Sequence, residues 1–90
     1  MSVVDNAAAH RFELEEQGQT AFADYRREEG MLVVTHVEAA PALRGTGAAG
    51  RLMEGLLQQA ASRGERVLPL CAYADAYMRR HKAWDRLRAG

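Results

Sequence analysis

The feature that most constrains this chain is a glycine-spaced turn set between an apolar run and an amphipathic one. Met31-Leu32-Val33-Val34-Thr35-His36-Val37 has the β-branched, apolar character of a strand. Arg44-Gly45-Thr46-Gly47-Ala48-Ala49-Gly50 follows, and then Ala49, Leu52, Met53, Leu56, Leu57 and Ala60 recur on one helical face. Strand, glycine-rich turn and helix together aim free backbone N–H groups at an anion. The first N–H groups of a helix have no partner within it, and the macrodipole adds partial positive charge there. Glycines at 45 and 47 let the backbone come close to a ligand, because no Cβ intervenes. Two readings fit the stretch: a pyrophosphate cradle, or a loop whose glycines only turn the chain.

Two common nucleotide loops fit poorly. A P-loop needs Lys and then Ser or Thr after its last glycine, whereas Gly50 is followed by Arg51-Leu52. Gly45, Gly47 and Gly50 do match the spacing G-x-G-x-x-G. A chain of 90 residues is nevertheless too short for two mononucleotide-binding halves, and the run before the loop is not its opening strand.

The rest of the chain reads as one small α+β domain. Met1 to Ala8 has no clear period and is expected to fray. His10 to Glu15 and Thr20 to Arg27 alternate as half-buried strands around a Gln17-Gly18-Gln19 turn, and Glu28-Glu29-Gly30 turns into a third strand, Met31 to Glu38. Pro41 marks the strand's end, the helix runs to about Ser62, and Arg63-Gly64 stops it. Gly55 inside that helix costs ~1 kcal/mol relative to Ala, so packing must compensate or something must sit close to it. Arg66 to Leu70 reads as a fourth strand at an edge or bulge, because Pro69 cannot donate to a ladder. A helix from about Tyr73 to His81 and a weaker helical tail, Ala83 to Arg88, finish the chain. The expected fold is a mostly antiparallel four-stranded sheet in the order β-β-β-α-β-α, with helices packed on it.

Composition removes some functions. Twelve basic and twelve acidic residues cancel, so no global field favours nucleic acid or an anionic membrane. No apolar run approaches the ~20 residues of a membrane span, and the start lacks a signal-peptide pattern. The single cysteine excludes an internal disulfide framework and suits a reducing compartment, so a cytoplasmic monomer is expected.

Few residues carry chemistry. Cys71 stands between the last strand and the second helix, where a helix dipole favours thiolate, although buried cysteines are commonly inert. His36 and Glu38 are expected on the same strand face as Leu32 and Val34. His36 is then a base only if a reactive group lies opposite, and otherwise a satisfied edge residue. Tyr77 and His81 share a helix face, which makes Tyr77 a phenolic acid or a core aromatic. No His, Cys, Asp or Glu cluster has metal-ligand spacing, and no metal is expected.

The turn Arg44-Gly45-Thr46-Gly47-Ala48-Ala49 resembles the acetyl-CoA pyrophosphate loop of the GNAT superfamily of N-acetyltransferases, Gln/Arg-x-x-Gly-x-Gly/Ala. More specifically, the chain is similar to a short single-domain branch. That branch has an Arg-Phe-Glu-Leu start, a Tyr-Arg-Arg strand, a Thr-His-x-Glu strand end, a Val-x-Pro-Leu-Cys strand and a Tyr-x-Arg-Arg-His helix. Here these are Arg11 to Leu14, Tyr25 to Arg27, Thr35 to Glu38, Val67 to Cys71 and Tyr77 to His81. The chain departs from the branch at Ala72 and Lys82, where proline is usual, and at Ala48, where an aliphatic residue is common.

The resemblance implies acetyl-CoA binding, with the pyrophosphate on Gly45, Thr46, Gly47, Ala48, Ala49 and Gly50. Arg44, Arg51 and Arg80 would supply charge. It implies acetyl transfer to a small amine or a protein amine by one of two routes. In the first, His36 with Glu38 takes the amine's proton and attack is direct, the route favoured here. In the second, Cys71 is acetylated first. Tyr77 or Cys71 would protonate the departing thiolate. The alternative is a CoA-binding module with little transferase activity that acts through a protein partner.

Overall fold

The computed structural model describes residues 3–90. Its sheet has five strands in sequential order: β1 (Val3–Asn6), β2 (Arg11–Glu16), β3 (Gln19–Glu28), β4 (Met31–Ala39) and β5 (Arg66–Pro69). The first four pair antiparallel and β5 joins β4 in parallel. A parallel neighbour needs a long crossover, and helix α1 (Ala48–Arg63) supplies it. Helix α2 (Ala72–Arg80) follows β5, and a 3₁₀ segment, Lys82–Leu87, stands where a helical tail was expected.

The fifth strand corrects the expected four. Met1 and Ser2, part of the expected frayed start, lie outside the described residues, but Val3–Asn6 pairs with Arg11 to Leu14. The strand was hidden because one of its inward positions is charged. Asp5 lies opposite the buried Phe12, yet it accepts hydrogen bonds from the Tyr25 hydroxyl (2.5 Å) and Arg27 Nη2 (2.9 Å), and Arg63 stands 3.2 Å away. The charge satisfied in this way breaks the apolar alternation that marks a strand.

Two tight turns fix the meander's register. Gln17-Gly18 and Glu29-Gly30 all have positive φ, between 36° and 77°, as two-residue hairpin turns of the favoured hand require. Phe12, Leu14, Ala21, Ala23, Tyr25, Leu32 and Val34 then face inward against Leu52, Met53, Leu56 and Leu57 of α1 and Ala74, Tyr77 and Met78 of α2. Both helices therefore share one face of the sheet. The other face carries Arg11, Phe22, Asp24, His36 and Glu38.

α1 ends as its sequence predicts. Gly64, at φ 70°, donates to Ala61 and Glu65 donates to Ala60, the paired bonds of a glycine-terminated helix. Gly55 also finds its explanation in the unexpected strand: a Cβ there would lie 2.6 Å from Val3 Cβ. Gln59 beside it donates to the Val3 carbonyl at 2.7 Å. β5 is an edge strand, as Pro69 suggests, and its free side is partly covered where Ala89 N–H donates to Val67 O at 2.8 Å.

Candidate functional site

The site begins with a break in the sheet. Between Asp24 and Tyr25 the β3–β4 register shifts: Tyr25 faces Val34 and Asp24 faces His36, which leaves Thr35 as the extra residue of a bulge. The bulge corrects the expected face of two side chains. Leu32 and Val34 point inward, but His36 and Glu38 point to the opposite face and are about half exposed, at 54% and 50%. The two-residue period fails at Thr35, so alternation counted from Leu32 assigns the wrong side.

The same place is where β5 leaves. Pairing of β4 with β5 stops at Val34 and Pro69, and the N–H groups of Leu70 and Cys71 both reach Val34 O. Among the described residues, His36 to Ala39 then pair with β3 alone. Pro41–Leu43 forms a 3₁₀ turn that carries the chain into the glycine loop at this opening.

The loop is built as its glycines suggest. Gly45 and Gly47 have φ of 79° and 88°, a region costly for any residue with a Cβ. Thr46 ties the turn internally: its hydroxyl donates to Leu43 O at 2.6 Å and accepts from Ala48 N–H at 3.3 Å. The first bond of α1 runs from Arg51 N–H to Gly47 O. The N–H groups of Ala49 and Gly50 have no acceptor among the described residues. Ala48 takes the buried position at the head of α1 and Ala49 is partly buried, and both line the opening.

A cavity of about 260 Å³ lies there, lined by Ala39, Leu43, Arg44, Gly45, Gly47, Ala48, Ala49, Gly50 and Tyr73. Arg44 is the cation on its wall, with Nε 3.3 Å from Ala39 O. Free N–H groups at a helix start, glycines that let a ligand approach, and one guanidinium make a donor set suited to an anion. Tyr73 was not singled out from the sequence. The side chain lines this cavity, and a Cβ on Gly50 would meet its hydroxyl at 3.7 Å. Its position at the second residue of α2, one turn ahead of Tyr77, was the available signal.

The other expected residues separate into groups. Arg51 lies in the first turn of α1, but its guanidinium is bound by Glu16, Nε and Nη2 each at 2.8 Å from a carboxylate oxygen. Arg80 is exposed on the last turn of α2 and is not part of the cavity wall. Cys71 is a partly buried free thiol at the N-cap of α2. His36 Nε2 lies 2.9 Å from Glu38 Oε1, and this hydrogen bond holds the Glu38 carboxyl below its usual value. Phe22, 6.1 Å from the His36 ring, and Arg11, stacked on Phe22 at 3.9 Å, complete that face.

Tyr77 is largely buried, and its hydroxyl donates to Glu54 Oε1 at 2.8 Å. Burial first, and then the adjacent carboxylate, push this phenol well above its usual value. Burial alone would raise Glu54, but hydrogen bonds from Trp84, Tyr77 and Gln58 outweigh it and hold the carboxyl low. His81 stacks on Tyr77 with centroids 3.9 Å apart, and its Nδ1 sits 2.8 Å from Tyr77 O. Among the described residues no group of three potential ligands is placed to hold a metal ion, and no helix is long and apolar enough to cross a membrane.

A meander that bulges and parts from a parallel edge strand, with a glycine-opened helix start at the parting, defines a small α+β domain with a cluster of donors at the opening. The chain belongs to a GCN5-related N-acetyl-transferase family, whose model matches residues 11–87. Members of that superfamily use acetyl-CoA as co-substrate. No curated protein matches the chain.

Proposed function

We propose that this chain is an N-acetyltransferase that moves an acetyl group from acetyl-CoA to an amine on a small molecule or a protein. The observation that carries the reading is the glycine-opened start of α1 at the point where β4 and β5 part. CoA's pyrophosphate is held at the 45–50 loop by its free N–H groups, those of Ala49 and Gly50 among them, with charge from Arg44. The bound thioester supplies the acyl carbon and a thiolate leaving group.

The chain's own work is to position the amine and take its proton. His36 and Glu38 stand beyond the bulge, on the open face of the sheet. With the Nε2 proton directed at Glu38, Nδ1 is the lone pair that accepts the amine's proton. The acceptor thus approaches from the open face and the acyl donor from the helix face. They meet at the stretch of β4 that β5 leaves unpaired. The Tyr77 hydroxyl is committed to Glu54, so Cys71, at the head of α2, is the better placed donor of a proton to the departing thiolate. Attack is direct.

The test is thiol release from acetyl-CoA across a panel of amines. His36→Ala is expected to lower the rate about 10²–10⁴-fold, the usual worth of a general base, with CoA affinity unchanged. Intact mass during turnover is expected to show no acetyl on Cys71. Undiminished turnover by the His36 variant, or accumulation of acetyl-Cys71, would overturn the direct route.

A further inference from the structure

We propose that Glu16 is a positioning residue for the anion-binding loop, acting through Arg51. The proposal rests on the loop's being the CoA site, and it changes the part Arg51 plays there. Arg51 stands in the first turn of α1, where the dipole disfavours a cation. A basic residue in that place calls for a partner, and Glu16 is that partner. Two parallel bonds of 2.8 Å join the planar guanidinium to the carboxylate, a geometry that fixes orientation as well as distance. Glu16 lifts the Arg51 guanidinium above its usual value and is itself held low by it.

The guanidinium also reaches the loop. Nη2 donates to Thr46 O at 3.2 Å, and Nη1 lies 3.0 Å from where a Cβ on Gly47 would be. It therefore lies against the loop at Gly47, in space that any side chain there would contest. Gly47 is needed twice, once for its φ and once to admit the clamp.

The clamp has a rigid anchor. Glu16 is the last residue of β2, immediately before the tight Gln17-Gly18 turn, and it pairs with Gln19 across it. Gly45 and Gly47 give the loop little stiffness of its own, and ordering it on binding would weaken affinity. Thr46 ties the loop only to itself and to its neighbours in sequence. Arg44 Nε on Ala39 O holds the loop's entry to the end of β4, and the Glu16–Arg51–Thr46 chain ties its middle to β2 before the ligand arrives.

The opposite arrangement is that Arg51 is a phosphate ligand which Glu16 holds back. The two differ in sign. Amide hydrogen exchange of residues 44–51 in the unliganded protein, with β3 as an internal reference for folding, is to be compared for the natural chain, Glu16→Gln and Arg51→Lys. Exchange is expected to quicken in the loop and stay unchanged in β3 for both variants. The Kd for CoA and the KM for acetyl-CoA are expected to rise roughly tenfold, with kcat held, because the loop positions the cofactor and not the reacting carbon. Unchanged loop exchange would overturn the clamp whatever the ligand. Tighter CoA binding by Glu16→Gln would overturn it in favour of a restrained phosphate ligand. Quickened loop exchange in a protein whose natural chain binds no CoA would instead overturn the ligand reading and leave the clamp standing.

Discussion

At the scale of residues, the inner edge of β1 carries two contacts that can be tested alone. A glycine in a helix interior ordinarily gains ~1 kcal/mol on conversion to alanine. At Gly55 the added carbon would press into Val3, two of whose contacts come from its γ carbons. Overpacking of that kind costs about 1–3 kcal/mol, so Gly55→Ala is expected to destabilise the chain in urea unfolding. The loss should shrink in a Val3→Ala background, because the γ carbons are gone. Equal stabilisation by Gly55→Ala in both backgrounds would show that β1 does not press on α1.

Asp5, two residues along, predicts a pH dependence. Burial alone would raise its carboxyl, but the Tyr25 hydroxyl, Arg27 and Arg63 together hold it below 3.8. A carboxyl depressed in the folded state stabilises fully above its ordinary value, and the contribution is lost as pH falls through the folded one. Asp5→Asn is therefore expected to cost about 1.5–3 kcal/mol at pH 7, the range for hydrogen bonds to a charged group. Below pH 3.8 the difference from the natural chain should narrow. A gap that stays constant down to pH 2 would contradict the assignment.

At the scale of elements, the single extra residue in β4 does most to shape the site. Without Thr35, β4 would run straight past Tyr25 and Asp24, with nothing to bend it away from β5. Deletion of Thr35 is expected to leave far-UV circular dichroism close to that of the natural chain and to abolish CoA binding, because the gap closes. A deleted chain that still bound CoA would show that the opening has another cause. The Glu54–Tyr77–Trp84 group works at this scale as well. One carboxylate on α1 accepts from α2 and from the 3₁₀ segment (2.8 and 3.1 Å) and so ties the three elements together.

At the scale of the whole molecule, the legible parts were those with a period or a turn signal. The β2–β3 and β3–β4 hairpins, α1 with its glycine stop, the edge position of β5 and the loop at the head of α1 all followed from spacing and residue type. The match to residues 11–87 agrees with the resemblance read from the same motifs. What escaped were features in which a distant partner outvotes local pattern. Asp5 hid β1 because its countercharges lie on β3 and α1. Thr35 hid the faces of His36 and Glu38 because a bulge is a relation between two strands and leaves no period in one. The hold of Glu16 on Arg51 was out of reach as well, because the two are 35 residues apart.

Calorimetric titration with CoA, comparing the natural chain with Gly47→Glu, tests the central claim most directly. The variant puts a side chain where φ is 88° and a negative charge at the N–H groups that we propose hold the pyrophosphate. The account predicts saturable binding by the natural chain and none by the variant at the same concentrations, with both proteins folded by circular dichroism. Absence of binding by the folded natural chain, or equal binding by the two, would contradict it.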